Sequence, residues 1–173
     1  AKTDARPEII SMLGRTGDES VITIISIALQ DEDYRVRAEA AAAIAAVRGP
    51  AAVPELIEFM KNATGQTDQE AVKSALMSVS GNKEIALLKP VLTDGSSIAR
   101  KTAIELMAWN KGNEYFREVL PFASSPEEPV RAAAVKALAS LAGPADQNDL
   151  INLLSSVQDK AYIADLQSAL ASA

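Results

Sequence analysis

Two segments of the chain share one pattern of apolar and polar positions: Arg35–Gly49 reads RVRAEAAAAIAAVRG and Pro129–Gly143 reads PVRAAAVKALASLAG. On a wheel of 3.6 residues per turn, Val36, Ala40, Ala43, Ile44 and Val47 gather on one side, so the segment reads as an amphipathic helix. The same register recurs along the chain. Ile10, Ile44, Leu76, Leu106, Leu138 and Leu170 follow one another at intervals of 30–34 residues. Three residues further on sit Leu13, Val47, Val79, Trp109 and Leu141, and a glycine follows each: Gly14, Gly49, Gly81, Gly112 and Gly143. Glycine accepts the left-handed backbone that ends a helix, so five helix ends are predicted in register. A repeat architecture follows.

A second apolar segment lies in each interval: 21–29, 53–60, 83–92, 114–123 and 147–154. Each has apolar residues three or four apart and is predicted to be the first helix of its unit. Pro90 and Pro121 fall near the ends of two of them, where proline bends or closes a helix. Polar turns follow at Asp31–Asp33, Thr93–Gly95, Ser124–Pro126 and Gln158–Asp159, with Asp and Ser suited to cap the next helix.

This order of an apolar helix, an Asp-containing bend and then Val-Arg-x-x-Ala-x-x-Ala-Leu/Ile resembles the HEAT repeat family, most closely its short bacterial form typified by the phycobilisome lyases. Units 17–49 and 111–143 carry the motif well. Unit 50–81 has Asp68-Gln69 in place of Val-Arg, and in unit 82–112 Arg100 comes one position late. The tetratricopeptide repeat has a similar period, but its constant spacing and its Trp/Gly/Tyr pattern are missing. The resemblance implies an all-α solenoid, a right-handed superhelix of about five helix–turn–helix repeats. The single array 1–173 would comprise a half repeat at 5–14, then 17–49, 50–81, 82–112, 111–143 and 144–173. Neither end of the array carries a strong polar cap, so the array is expected to be one part of a longer polypeptide.

Composition narrows the chemistry. The 173 residues contain no His and no Cys. That removes His-based acid–base catalysis, Ser-His-Asp triads, thiolate or His metal sites, and disulfides. A net charge of −6 argues against nucleic acid and anionic membrane surfaces. No uninterrupted apolar run of transmembrane length stands out, and no metal or cofactor is expected. Asp31-Glu-Asp33 lacks the ligand number and glycine of a calcium loop and reads as a cap and turn. Ser80-Gly-Asn-Lys83 lies in a turn without companion motifs, and Gly14-Arg-Thr-Gly17 is too short to cradle phosphate.

The alanines have a packing explanation. A second helix is flanked by its own partner and by equivalent helices on both sides, and small side chains let all of them approach closely. Alanine also loses no side-chain entropy on burial. Function then rests on the surface. HEAT-like arrays imply a non-catalytic module that binds a protein or peptide. A structural spacer is the alternative, and a lyase or enzyme subunit a further one. Some HEAT-like proteins hydroxylate lysine at a di-iron site, which a chain without His cannot build. Candidate contacts on the second helices are Glu70, Met77, Arg100, Ile104 and Met107, the two methionines aligned in adjacent units. Tyr115 is a further candidate as a partly exposed contact, whereas Trp109, at a seam position, is expected to fill the core.

Overall fold

The computed structural model describes residues 5–111, 113–156 and 160–172, and all regular structure among them is helical. The chain divides into two compact units, Ala1–Leu87 and Leu88–Ala173. The first contains α1 (Arg6–Thr16), α2 (Ile22–Ala28), α3 (Tyr34–Arg48), α4 (Val53–Asn62), α5 (Gln66–Val79) and the short α6 (Asn82–Ile85). The second contains α7 (Lys89–Asp94), α8 (Ser97–Asn110), α9 (Phe116–Val119), α10 (Glu128–Leu141), α11 (Gln147–Ser156) and α12 (Lys160–Ser172).

Each unit repeats one packing scheme. In the first, α1, α3 and α5 lie side by side, while α2 and α4 each pack on the second helix that follows them. In the second, α8, α10 and α12 lie side by side, with α7 on α8 and α11 on α12. The seam of α3 is buried at Val36, Ala40, Ala43 and Ile44, and that of α10 at Val130, Ala134, Ala137 and Leu138. The fold is an all-α solenoid, as the resemblance implied. Residues 34–62 alone combine enough helix and apolarity to pass for a membrane span among those described. They comprise two helices with the 3₁₀ turn Gly49–Ala52 between them, and many of their apolar side chains form the core.

Prolines sit at several of the breaks in the first helices. Pro50, Pro121 and Pro144 sit in 3₁₀ turns, and Pro90 opens α7. A missing amide is tolerated at such starts and not in a helix interior. The Asp31–Asp33 bend is the predicted cap: Asp33 accepts from the Arg35 amide at 2.9 Å, and Asp31 accepts from the Asp33 amide at 2.8 Å. The Arg35 guanidinium beside Asp33 also bonds its carboxylate, and together with the amide bond it holds that carboxyl down at about 2.

Three details differ from the sequence reading. Gly14 ends no helix: it lies inside α1, and Gly17, at φ 65°, is the left-handed residue. Gly112 and the Gln158–Asp159 turn lie outside the described residues, and α8 closes on Lys111 at φ 56°. A side chain in that conformation costs about 1–2 kcal/mol, offset in part by the flexibility glycine would bring to the unfolded chain. Lys111→Gly is therefore expected to stabilise the protein by roughly 0.5–1 kcal/mol in a urea titration followed by circular dichroism.

The third difference is one of register. In α8 the buried seam runs Ala99, Ala103, Leu106 and Met107, one residue later than the alignment on Leu106 implies. Ala99-Arg100 then matches Val36-Arg37 and Val130-Arg131, and Arg100 is not late at all. Its side chain behaves accordingly. Arg100 Nε donates to the Gly95 carbonyl at 3.1 Å, Arg131 to Ser125 at 2.7 Å, and Arg37 to Asp31 at 2.7 Å. In each unit this arginine ties the second helix to the turn before it. Gln69, the apparent departure, does the same with an amide: Nε2 donates to the carbonyls of Met60 and Ala63 at 2.7 and 2.9 Å.

Candidate functional site

The corrected register redraws the surface offered by the second helices. Ile104 and Met107 are fully buried, so neither can contact a partner. Both point into the packing because the seam of α8 has shifted toward them, and the expected methionine row does not form. Tyr115 is also buried, contrary to expectation, since the 3₁₀ turn Asn113–Tyr115 rotates it inward. Lys89 lies over its ring at 5.8 Å and pairs with Glu118. Burial pushes the Tyr115 phenol above its ordinary value, and the Glu118 bond raises Lys89.

The remaining predicted residues fall out differently. Arg100 is half-buried and bonded to Glu127 at 3.1 Å, which makes it a tie between repeats. Glu70 is exposed on α5, with Ser74 exposed one turn later and Met77 half-buried beyond it. In the corrected alignment their counterparts on α8 are Lys101, Glu105 and Ala108, where Lys101 and Glu105 pair at 3.8 Å.

Trp109 is the residue that sequence reasoning misplaced most. It is 41% exposed, among the few large apolar side chains left open. Its equivalents in α3, α5 and α10 are Ala46, Ser78 and Ser140, all exposed. A tryptophan thus stands where α3, α5 and α10 turn small residues to solvent, and α1 carries the exposed Met12 at the same position. The late Arg100 was the signal that could have found it, since a frame set on that arginine moves Trp109 off the seam. On α10, the neighbour of α8, Lys136 and Ser140 are exposed as well.

In the first unit a groove of about 460 Å³ opens between α2, α4 and the start of α5, with Leu29 and Phe59 among its walls and Asp31, Glu55, Glu58 and Asp68 among its carboxylates. Those carboxylates are mostly neutralised within the fold. Arg6 pairs with Asp31 at 2.7 Å, Arg37 with Asp68 at 2.8 Å and Arg48 with Glu55 at 3.1 Å. Among the described residues no three His, Cys, Asp or Glu side chains are grouped so as to hold a metal ion.

The family model described as HEAT repeats matches residues 1–77 and 85–171. None of the curated proteins matches the chain in sequence. Solved structures match its fold. A structure reported for crescerin, which uses a TOG domain array to regulate microtubules in the primary cilium, is 15% identical with a TM-score of 0.67. The likeness covers 97% of this chain and 85% of that one. Human deoxyhypusine hydroxylase is 16% identical with a TM-score of 0.56, over 98% of this chain and 80% of its own. An engineered protein is 17% identical with a TM-score of 0.51, over 99% and 92%. At such identities these structures speak for the fold alone. With its family model spanning nearly all of the sequence, and its arginine ties repeating in both units, the chain belongs to the HEAT repeat family.

Proposed function

We propose that this chain is a non-catalytic interaction module that binds a protein or peptide segment on the exposed face of α8 and α10, with Trp109 as the anchor. The exposure of Trp109 carries the reading. A tryptophan that is 41% open, at a position where α3, α5 and α10 carry Ala or Ser, leaves much of its ring in water. Tryptophan is among the residues that contribute most when an interface buries them. The Lys101–Glu105 pair and Lys136 would form a charged rim around it, contributing selectivity more than affinity. Glu70 and Met77 on α5 are the face the first unit would offer. The lack of His and Cys supports the non-catalytic part of the reading, as does the use of HEAT repeats as protein-binding scaffolds.

Trp109 is also the sole tryptophan, so it reports directly. In the free protein its emission is expected to be red-shifted and readily quenched by acrylamide. Affinity capture with the chain as bait, followed by mass spectrometry, identifies the partner. On titrating that partner, the emission should move to the blue and quenching should fall. Trp109→Ala should weaken binding at least tenfold, the loss of about 1.4 kcal/mol or more that marks an anchor, with the helical signal intact. A folded Trp109→Ala variant that retains every captured partner at full affinity would overturn the proposal.

A further inference from the structure

The charges around Trp109 differ from those of the chain as a whole. On the outward face of α8 and α10, and at the end of α8, stand Lys101, Glu105, Lys111 and Lys136. Lys101 and Glu105 pair at 3.8 Å and largely cancel. Lys111 and Lys136 are exposed, and neither makes an ion pair among the described residues. Most other cations of the second unit are engaged: Lys89 with Glu118, Arg100 with Glu127, Arg117 with Asp149, and Arg131 over the Tyr162 ring. Most acids of the unit lie elsewhere, Glu114 and Glu118 around α9, Glu127 in the turn before α10, Asp146 and Asp149 around the start of α11. Glu128 shares the outward stripe of α10, but at its far end, where it accepts from the Tyr162 hydroxyl at 3.2 Å. A chain of net charge −6 is therefore locally positive beside its exposed tryptophan.

Lys111 has a second distinction. The helices α1 and α3 close on glycines with positive φ, Gly17 at 65° and Gly49 at 54°, whereas α8 closes on Lys111 at 56°. Glycine enters that conformation freely, and a lysine there is strained. The end of α8 thus gives up stability to hold an ammonium group two residues beyond Trp109. Strain of this kind gathers at functional sites. Lys136 stands on the neighbouring α10, one turn before Ser140, so the two lysines lie on different sides of the indole. We propose, on the reading that Trp109 is the anchor, that the segment it receives is acidic. An apolar side chain of that segment packs on the indole, and Asp or Glu on either side of it meets Lys111 and Lys136. Charge of opposite sign around an apolar anchor selects the partner and speeds the encounter. A nucleic acid is a poorer match, since two lysines on an acidic chain do not make the basic stripe that a phosphate backbone needs.

The test uses the 173-residue chain, whose emission comes from Trp109 alone when the probes carry no aromatic residue. Three synthetic peptides of one length share a central Leu-Leu, flanked by Asp and Glu, by Asn and Gln, or by Lys. The acidic peptide should shift the emission to the blue and shield it from acrylamide, and its affinity should fall as salt is raised. Lys111→Gly combined with Lys136→Gln should bind it about fivefold more weakly, the size expected for two exposed charge pairs. That variant should unfold at no lower urea concentration than its parent, because glycine relieves the strain at 111, so weaker binding would not reflect a weaker fold. The proposal is overturned if the neutral or basic peptide shifts the emission as strongly, or if the double variant binds the acidic peptide like the parent. Tighter binding of a single-stranded oligo(dT) than of the acidic peptide would overturn it in favour of nucleic acid. If no peptide shifts the emission even at millimolar concentration, acidic recognition is wrong, while the anchor itself is judged separately by Trp109→Ala against the captured partner.

Discussion

Gly14→Ala is expected to destabilise the first unit by about 1–3 kcal/mol, although alanine is the better helix former. Two effects compete. In the interior of a helix, replacing Gly by Ala normally gains roughly 0.5–1 kcal/mol, because glycine loses more backbone freedom on folding. Against that, the new Cβ would stand 2.6 Å from the Ala43 Cβ and 2.8 Å from its Cα. Neither atom is the end of a flexible side chain, so α1 and α3 must move apart. Opening that contact weakens the pairing of α1 with α3 along its length, and dense packing leaves little slack to absorb it. Gly65→Ala is the control. Its Cβ would meet only the Asp68 carboxylate, at an ordinary 3.6 Å, and a change within about 0.5 kcal/mol is expected. Chemical denaturation of both variants decides the matter. A Gly14→Ala protein as stable as its parent would mean that the two helices are held less tightly than 2.6 Å implies. Ala43→Gly added to Gly14→Ala should recover part of the loss, since one of the two colliding atoms is gone.

Gly14 also illustrates what the sequence made legible. The helix-length period, the alanine face and the alternation of first and second helices could all be read, because each rests on a spacing of three to four residues repeated many times. Single residues at helix ends were harder. Gly14 follows the last periodic residue of α1 as a terminating glycine would, and only the distance to Ala43 shows that it permits a close approach instead. The frame of α8 was ambiguous for a related reason. Leu106 and Met107 are adjacent and both apolar, so either completes the period, and the choice between them decides whether Trp109 faces the core or solvent. Arg100 held the answer. Its hydrogen bond to the turn fixes the frame as strongly as any apolar residue, yet a hydrophobic alignment gives it no weight. Tyr115 could not have been placed by either signal, since it belongs to a 3₁₀ turn with its own period of three.

Replacing Arg37 by Met is expected to cost about 3 kcal/mol, the second large effect, because of what it leaves behind. The guanidinium donates to two carbonyls of its own turn, Asp31 at 2.7 Å and Glu32 at 2.9 Å. It also forks onto Asp68 of the next repeat at 3.1 and 2.8 Å. One side chain therefore closes a turn and joins two repeats. Asp68 is buried at the position where α3 and α10 carry Val36 and Val130, on the wall of the groove, so without Arg37 a carboxylate would remain there without its counter-charge. Stranding that charge is the costly part; the pair itself is worth far less, since desolvation consumes most of its attraction. The argument yields a distinctive pattern of variants. Arg37→Met alone should be much less stable, while Arg37→Met with Asp68→Val should recover most of the loss by restoring the residue type found at that site elsewhere. The double variant would still lack the bonds to Asp31 and Glu32, so a deficit of about 1 kcal/mol should remain. Urea denaturation of the parent, both single variants and the double variant measures the coupling directly. If Arg37→Met alone falls within about 0.5 kcal/mol of the parent, the bridge acts as an ordinary surface ion pair, and the seam around Asp68 is wet enough to hold its charge unaided.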